Sequence, residues 1–241
     1  MPAVPNAPSA RPAVAAAPQR QRRKEARPQE LLAAALALFV EKGFAATRSE
    51  EVAARAGVSK GTLYLYYPSK EELFKAVVRE TLASHIADGQ QMLAQHQGAM
   101  AELLRQVMHE WWQRIGLGPA GGISKIMTAE ARNFPELAQF YVDEVIAPTH
   151  RLLAGLLERG MASGEFRRVL VDDAVHVLIA PMLHLTLQQH SFGACMLHDP
   201  DLDARRVLDL QLDLMLGGLL APAQLQEAPP LSTPPGTRRP K

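Results

Sequence analysis

The chain has 241 residues, 47% of them hydrophobic and 21% charged, with 26 Lys+Arg against 25 Asp+Glu for a net charge of +1. This describes one large globular domain or two small ones, and the longest apolar run, Leu31–Val40, is too short to span a bilayer. Met1–Pro28 lacks the apolar stretch of a secretory signal, and the single Cys195 excludes an intramolecular disulfide framework, so a cytoplasmic protein is expected.

The near-neutral total divides unevenly. Residues 1–70 hold 11 Lys+Arg and 5 Asp+Glu, a net of +6, whereas the remaining 171 hold 15 and 20, a net of −5. A basic third and an acidic remainder point to two modules with different partners, the first fitted to nucleic acid. Twelve of the 18 prolines fall in Met1–Pro28 and Pro222–Lys241. Both segments are poor in large apolar residues and cannot repay their chain entropy, so residues 1–26 and 221–241 are expected to be disordered. Arg20–Arg27 is a basic arm ahead of the first ordered element, suited to DNA phosphates or a minor groove.

Between the tails the pattern is helical. Gln29–Lys42 is rich in helix formers and stops at Gly43. Thr47-Arg-Ser-Glu50 has the form of a capping box and opens a short helix through Val52, Ala53 and Ala56; Gly57 supplies a turn, and a second short helix runs from Ser59 to about Leu65. A further capping box, Ser69-Lys-Glu-Glu72, opens a longer helix carrying Leu73, Phe74, Val77, Val78 and Leu82. Helices are expected near 99–114, 123–133, 135–159, 173–189 and 202–219, with Gly116–Gly122 as a flexible connector and Pro181 kinking its helix. No alternating run is long enough to nucleate a sheet. The class is all-α: a three-helix N-terminal domain at 27–87 and a larger helical domain at 88–220.

Thr47–Tyr66 has the layout of a helix-turn-helix, whose second helix enters the major groove. Val52, Ala53 and Ala56 form a small apolar face that lets two short helices cross closely, with Val58 and Leu63 filling the angle. Ser59, Lys60, Gly61, Thr62, Tyr64 and Tyr66 then face outward. Hydroxyls and Lys60 suit phosphate, Gly61 permits close backbone approach, and Tyr64 and Tyr66 suit phosphate or base contact. Tyr67, before Pro68, is expected to pack inward.

From about Arg27 to Val78 the chain resembles the DNA-binding domain of the TetR/AcrR family of bacterial transcriptional regulators. The residues that carry this are Gly43-Phe44, Thr47, Val52-Ala53, Ala56-Gly57-Val58-Ser59, Gly61-Thr62-Leu63-Tyr64, Tyr66-Tyr67 and Ser69-Lys70-Glu-Glu-Leu73. The resemblance implies a homodimer on a palindromic operator, usually repressing nearby genes until a small molecule releases it. It implies recognition-helix contacts from Ser59, Lys60, Gly61, Thr62, Tyr64 and Tyr66, a phosphate contact from Lys70, and hydroxyl contacts from Thr47 and Ser49. Arg48 departs from the Thr or Ser common at its position and adds a cation there.

In the second module Asp173–Gln189 is apolar almost all round, and Leu202–Leu219 adds eight apolar residues that include Leu208 and Leu212. Two such helices from each of two protomers form a four-helix interface, with His176, Leu183, His184, Leu187, Leu208, Leu212 and Met215 as its expected residues. His176 and His184 read more readily as satisfied interface groups than as ligand contacts. An effector pocket is expected among the helices of 71–160, lined by Met108, Trp111, Trp112, Met127, Phe134 and Tyr141, with Met92, Leu103, Ile126 and Phe140 as further candidates. Their chemistry fits an apolar or weakly polar ligand.

An enzyme is not expected. Gly116–Gly122 has no preceding strand to make it a phosphate loop, and G-x-S-x-G, H-E-x-x-H and C-x-x-C are absent. His190, Cys195, His198 and Asp199 cluster in a loop, which is weak support for a metal or redox site, so neither metal nor cofactor is expected. The competing readings are a constitutive DNA-binding protein without a ligand and a helical enzyme with an incidental helix-turn-helix.

Overall fold

The structure, a computed structural model, describes residues 18–192 and 203–221. Helix α1 (Pro18–Lys42) begins well ahead of Gln29 and runs through Pro28. Residues 18–26, expected as part of a disordered arm, fall within α1, while residues 1–17 and 222–241 lie outside the described chain. Gly43, with φ of 84°, ends α1 in a conformation that L side chains rarely adopt.

Helices α2 (Ser49–Arg55) and α3 (Lys60–Tyr66) cross at the turn that Gly57 makes with φ of 66°. The Val58 amide donates to Ala53 O at 2.9 Å, closing α2 in a Schellman turn. Ser59 Oγ accepts from the Thr62 amide at 3.1 Å and caps α3, and Ser69 Oγ caps α4 (Lys70–Val78) by the same bond from Glu72 N. Around α1, Phe39, Phe44 and Phe74 meet with centroids 5.3–5.6 Å apart, and with Leu31, Val52, Leu63 and Leu73 they make the fully buried centre of the N-terminal reader domain.

The helix after Ser69 does not stop at Leu82. A π-helical turn, Arg79–Ala83, carries α4 into α5 (Ser84–Gln95). Helix α6 (Met100–Trp111) ends in a second such turn, Trp112–Gly116. A third, Val142–Ile146, divides the stretch expected as one helix into α8 (Pro135–Tyr141) and α9 (Ala147–Ala162). Helix α10 (Val171–Leu187) passes through Pro181 into a fourth π turn, and α11 (Ala204–Leu219) closes the order. Among the described residues the only non-helical pairing is an isolated antiparallel bridge, Phe166 to Leu220.

Gly116–Gly122 is not a flexible connector. Gly116, Ala120, Gly121 and Gly122 are buried, and Pro119–Gly121 forms a short 3-10 turn into α7 (Gly122–Glu130). A Cβ at Gly116 would overlap the Trp112 ring, and one at Gly122 would come within 2.6 Å of Val40. The glycines are there for contact, because only a bare backbone lets α7 lie against α1.

Two hydrophobic cores result. The first runs from α1–α4 into α7 and α8 by way of Ile115, Ile123, Ile126 and Leu137. The second joins α6, α9, α10 and α11. Arg79 reinforces the α4–α8 seam, with its guanidinium 4.8 Å from the Phe140 ring centroid and 3.5 Å from Glu144.

Candidate nucleic-acid interface and cavity

The outward face of α3 carries Ser59, Lys60, Gly61, Tyr64 and Leu65, all exposed, with Thr62 half-buried. Leu63 points inward and is fully buried. Tyr66 packs partly on the reader's core beside Tyr67 rather than standing free, so its face is divided between core and solvent. Lys60 Nζ is bonded to the Glu50 carboxylate and lies 5.7 Å from the Tyr64 centroid. This pairing pulls the Glu50 carboxyl below its ordinary range and raises the Lys60 ammonium. A phosphate approaching Lys60 must therefore compete with Glu50.

Three residues expected to touch DNA are differently engaged. Thr47 is 1% exposed, and its hydroxyl donates to Gly43 O at 2.7 Å and Leu38 O at 3.2 Å, serving the carbonyls at the end of α1. The capping box consequently slips by one residue, and Glu51 rather than Glu50 accepts from the Arg48 amide at 3.2 Å. Ser49 is buried in the first turn of α2, whereas Arg48 is exposed. Lys70 Nζ donates to Phe44 O, Ala45 O and Thr47 O at 2.9, 3.2 and 3.1 Å and sits 4.5 Å from the Phe44 centroid. All three ammonium protons are used within the protein.

Leu65 was missed by the sequence reading. At 85% it is the most exposed large hydrophobic residue among those described. Its signal was available as an apolar residue one position off the inward stripe.

A cavity of about 380 Å³ lies among α5–α10. Met108, Trp111, Met127 and Tyr141 line it as expected from their helices, and so does Met92. Trp112 and Phe134 do not. Trp112 is 1% exposed inside the second core, and Phe134 packs edge-on against Phe44 at 4.8 Å, on the reader's side. Leu103, Ile126 and Phe140 are also absent from the wall. The lining is mostly aliphatic, and Tyr141 Oη and Ser124 Oγ, 3.2 Å apart, form a polar pair within it. Burial pushes the Tyr141 phenol upward, so it stays a hydrogen-bonding neutral group. His85, Glu110 and Arg114 supply a second polar region, where Arg114 reaches Asp88 at 3.1 Å.

Helix α7 touches both the cavity and the reader. Ser124, Met127, Thr128 and Ala131 recur at helical spacing on the cavity side. Ile123 and Ile126 lie in the first core, and Glu130 Oε1 accepts from the Ala45 amide at 3.2 Å, between α1 and α2.

The expected interface residues separate into three groups. Leu208 and Leu212 are fully buried within the protomer and cannot meet a partner. Leu183 lines the cavity, and Met215 packs partly on the second core. His176 and His184 are exposed and Leu187 is half-buried. The outer faces of α10 and α11 instead show Val177, Ala180 and His184 beside Leu210, Leu214 and Gly217. His190 bonds Gly116 O at 3.1 Å through its ring, while Cys195, His198 and Asp199 lie outside the described residues.

Comparison with known proteins places this geometry. The family model for bacterial regulatory proteins of the tetR family matches residues 31–77, and that for the tetracyclin repressor-like C-terminal domain matches residues 94–192. The transcriptional repressor KstR2 of Mycolicibacterium smegmatis is 27% identical over 204 residues, covering 84% of this chain and 95% of the relative. The transcriptional regulator RutR of Escherichia coli is 47% identical over 64 residues, 27% of this chain and 30% of its own. The Bacillus subtilis regulator FadR, solved in complex with stearoyl-CoA, superposes with a TM-score of 0.65 at 21% identity, over 79% of this chain and 98% of that one. The chain belongs to the TetR family of bacterial regulatory proteins and is a DNA-binding transcriptional regulator.

Proposed function

We propose that the chain is a cytoplasmic homodimeric repressor that releases a palindromic operator when a small apolar or weakly polar molecule fills the cavity among α5–α10. The observation that carries this reading is the placement of α7, which lines the 380 Å³ cavity on one side and holds the α1–α2 corner through Glu130 on the other. A ligand that shifts α7 changes the footing of α3 without touching DNA. The exposed residues of α3 and Arg48 make the operator contacts, with Arg20–Arg27 of α1 adding phosphate contacts. The faces of α10 and α11 that carry Val177, Ala180, Leu210 and Leu214 pair with their copies in a four-helix interface, which spaces the two α3 helices on one side of the duplex.

The cavity's volume lies within the range of small-molecule sites. Its aliphatic wall fits the body of such a ligand, and the Tyr141–Ser124 pair fits one hydrogen-bonding group. Support comes from two relatives, a protein named as a repressor and one solved with stearoyl-CoA. The test is operator binding by fluorescence anisotropy, using duplexes enriched from a random library, against a panel of fatty alcohols, acyl esters and steroids. At least one compound weakens operator binding tenfold or more, and Met127→Trp, which fills the cavity, abolishes that response. Binding that no compound alters, with a Met127→Trp variant indistinguishable from wild type, would establish constitutive control instead.

A further inference from the structure

The surface of α3 contains one residue whose chemistry does not match the rest. Lys60, Thr62 and Tyr64 present ammonium and hydroxyl groups, whereas Leu65 presents an isobutyl group that nothing among the described residues covers. Side chains on a helix lean toward its N-terminus, so Leu65 lies over the turn that holds Gly61, four residues earlier. A Cβ at Gly61 would meet only Ser59 Oγ, at 3.8 Å. The Gly61–Leu65 stripe is therefore bare backbone followed by a single apolar projection. Beside it runs the polar Lys60–Tyr64 stripe.

We propose that Leu65 is a specificity-determining residue that reads a thymine in each operator half-site through the base's C5-methyl group. The proposal rests on α3 being the DNA-reading helix. An isobutyl group has no donor or acceptor, so it cannot satisfy the N7, O6, N6 or N4 edges of the other bases. In the major groove only thymine offers an apolar group. Gly61 lets the α3 backbone approach closely enough for a four-carbon side chain to reach the base edges. Lys60, on the same surface, matches a flanking phosphate once that phosphate displaces Glu50, and helps hold the stripe against the groove. Hydrogen-bonded discrimination is left to the neighbouring polar stripe.

The experiment replaces thymine by deoxyuridine, which removes the methyl group and nothing else. Full-length protein enriches its preferred duplexes from a random library, and each thymine pair is then exchanged symmetrically. Loss of one buried methyl contact corresponds to about fourfold in affinity, hence about 15-fold for two half-sites. Wild type shows this loss at one symmetric position, and Leu65→Ala shows none there while keeping the wild-type response at every other thymine. Because Leu65 is exposed, the variant melts with wild type, which separates reading from folding. A Leu65→Ala variant with the full deoxyuridine penalty at every thymine overturns the proposal, as does a wild type with no methyl-sensitive position. If wild type enriches no sequence at all, the DNA-reading assignment of α3 fails and the proposal falls with it.

Discussion

Lys70 separates a structural role from a DNA-contacting one by a measurable amount. Its ammonium donates to Phe44 O, Ala45 O and Thr47 O and stands over the Phe44 ring, tying the first turn of α4 to the corner between α1 and α2. Lys70→Met keeps the aliphatic stem and removes the three donors. Hydrogen bonds to a charged group contribute roughly 1.5–3 kcal/mol each when desolvated, but Lys70 is half-buried and Ala45 exposed, so water recovers much of this. The net loss is about 2 kcal/mol, including about 0.5 kcal/mol from the ring contact. For a chain of this size that lowers the melting temperature by roughly 4–8 °C. The salt dependence of operator binding stays unchanged, because no phosphate contact is lost. An unchanged melting temperature, with the slope of log K against log salt falling by about one per protomer, would show that Lys70 holds phosphate and would refute the clamp.

Gly116→Ala drives a methyl group into the buried Trp112 ring and is expected to cost about 2 kcal/mol, read as a lower urea midpoint; an unchanged midpoint would mean that the junction is loosely packed. Leu214→Glu, at a position 69% exposed, is expected to turn the proposed dimer into a monomer by light scattering with intact helicity. Leu212→Ala, in the protomer core, costs about 2–4 kcal/mol and leaves the mass dimeric, so the reverse pattern excludes the α10–α11 face. His190 has its imidazole held below the ordinary 6.5, chiefly by burial and further by Lys125, against the opposing bond to Gly116 O. The unfolded chain therefore binds this proton more readily, and the stability from His190 is complete above pH 6.5 and declines as pH falls below it. The melting-temperature gap between wild type and His190→Asn should be widest above pH 6.5 and narrow below it; a gap that widens on acidification contradicts the burial argument.

Local signals carried the reader well. Gly57 needs a positive φ, and Ser59 and Ser69 accept from the amide three residues on, so the end of α2 and the starts of α3 and α4 follow from residues within one helical turn. The failures came where a distant group decided the outcome. Thr47 has the hydroxyl of an N-cap, but Leu38 O and Gly43 O claim it, and Lys70 finds its carbonyls 23 to 26 residues away. In α11 a leucine repeat on several sides does not say which side the protomer takes. The structure gives Leu208 and Leu212 to the protomer core and leaves Leu210 and Leu214 outside.

The cavity was the least legible feature, and its illegibility has a specific physical source. A π turn holds one residue more than an α turn and shifts the phase of everything after it. Trp111 and Trp112 straddle the start of one such turn; the first lines the cavity while the second fills a core. The turns at Arg79–Ala83, Trp112–Gly116 and Val142–Ile146 each contribute to the cavity wall, through Leu82, Ile115 and Val145 among others. A strict 3.6-residue count carried through these points would assign the side chains beyond them to the wrong face. All three turns border the cavity that α7 also lines. Helix α7 runs past it without a π turn, so its phase stays intact from Ser124 to Ala131 on the cavity side and from Ile123 to Glu130 on the reader side. In the proposed mechanism α7 carries a change in the cavity to the corner ahead of α3, because it lines the one and bonds the other.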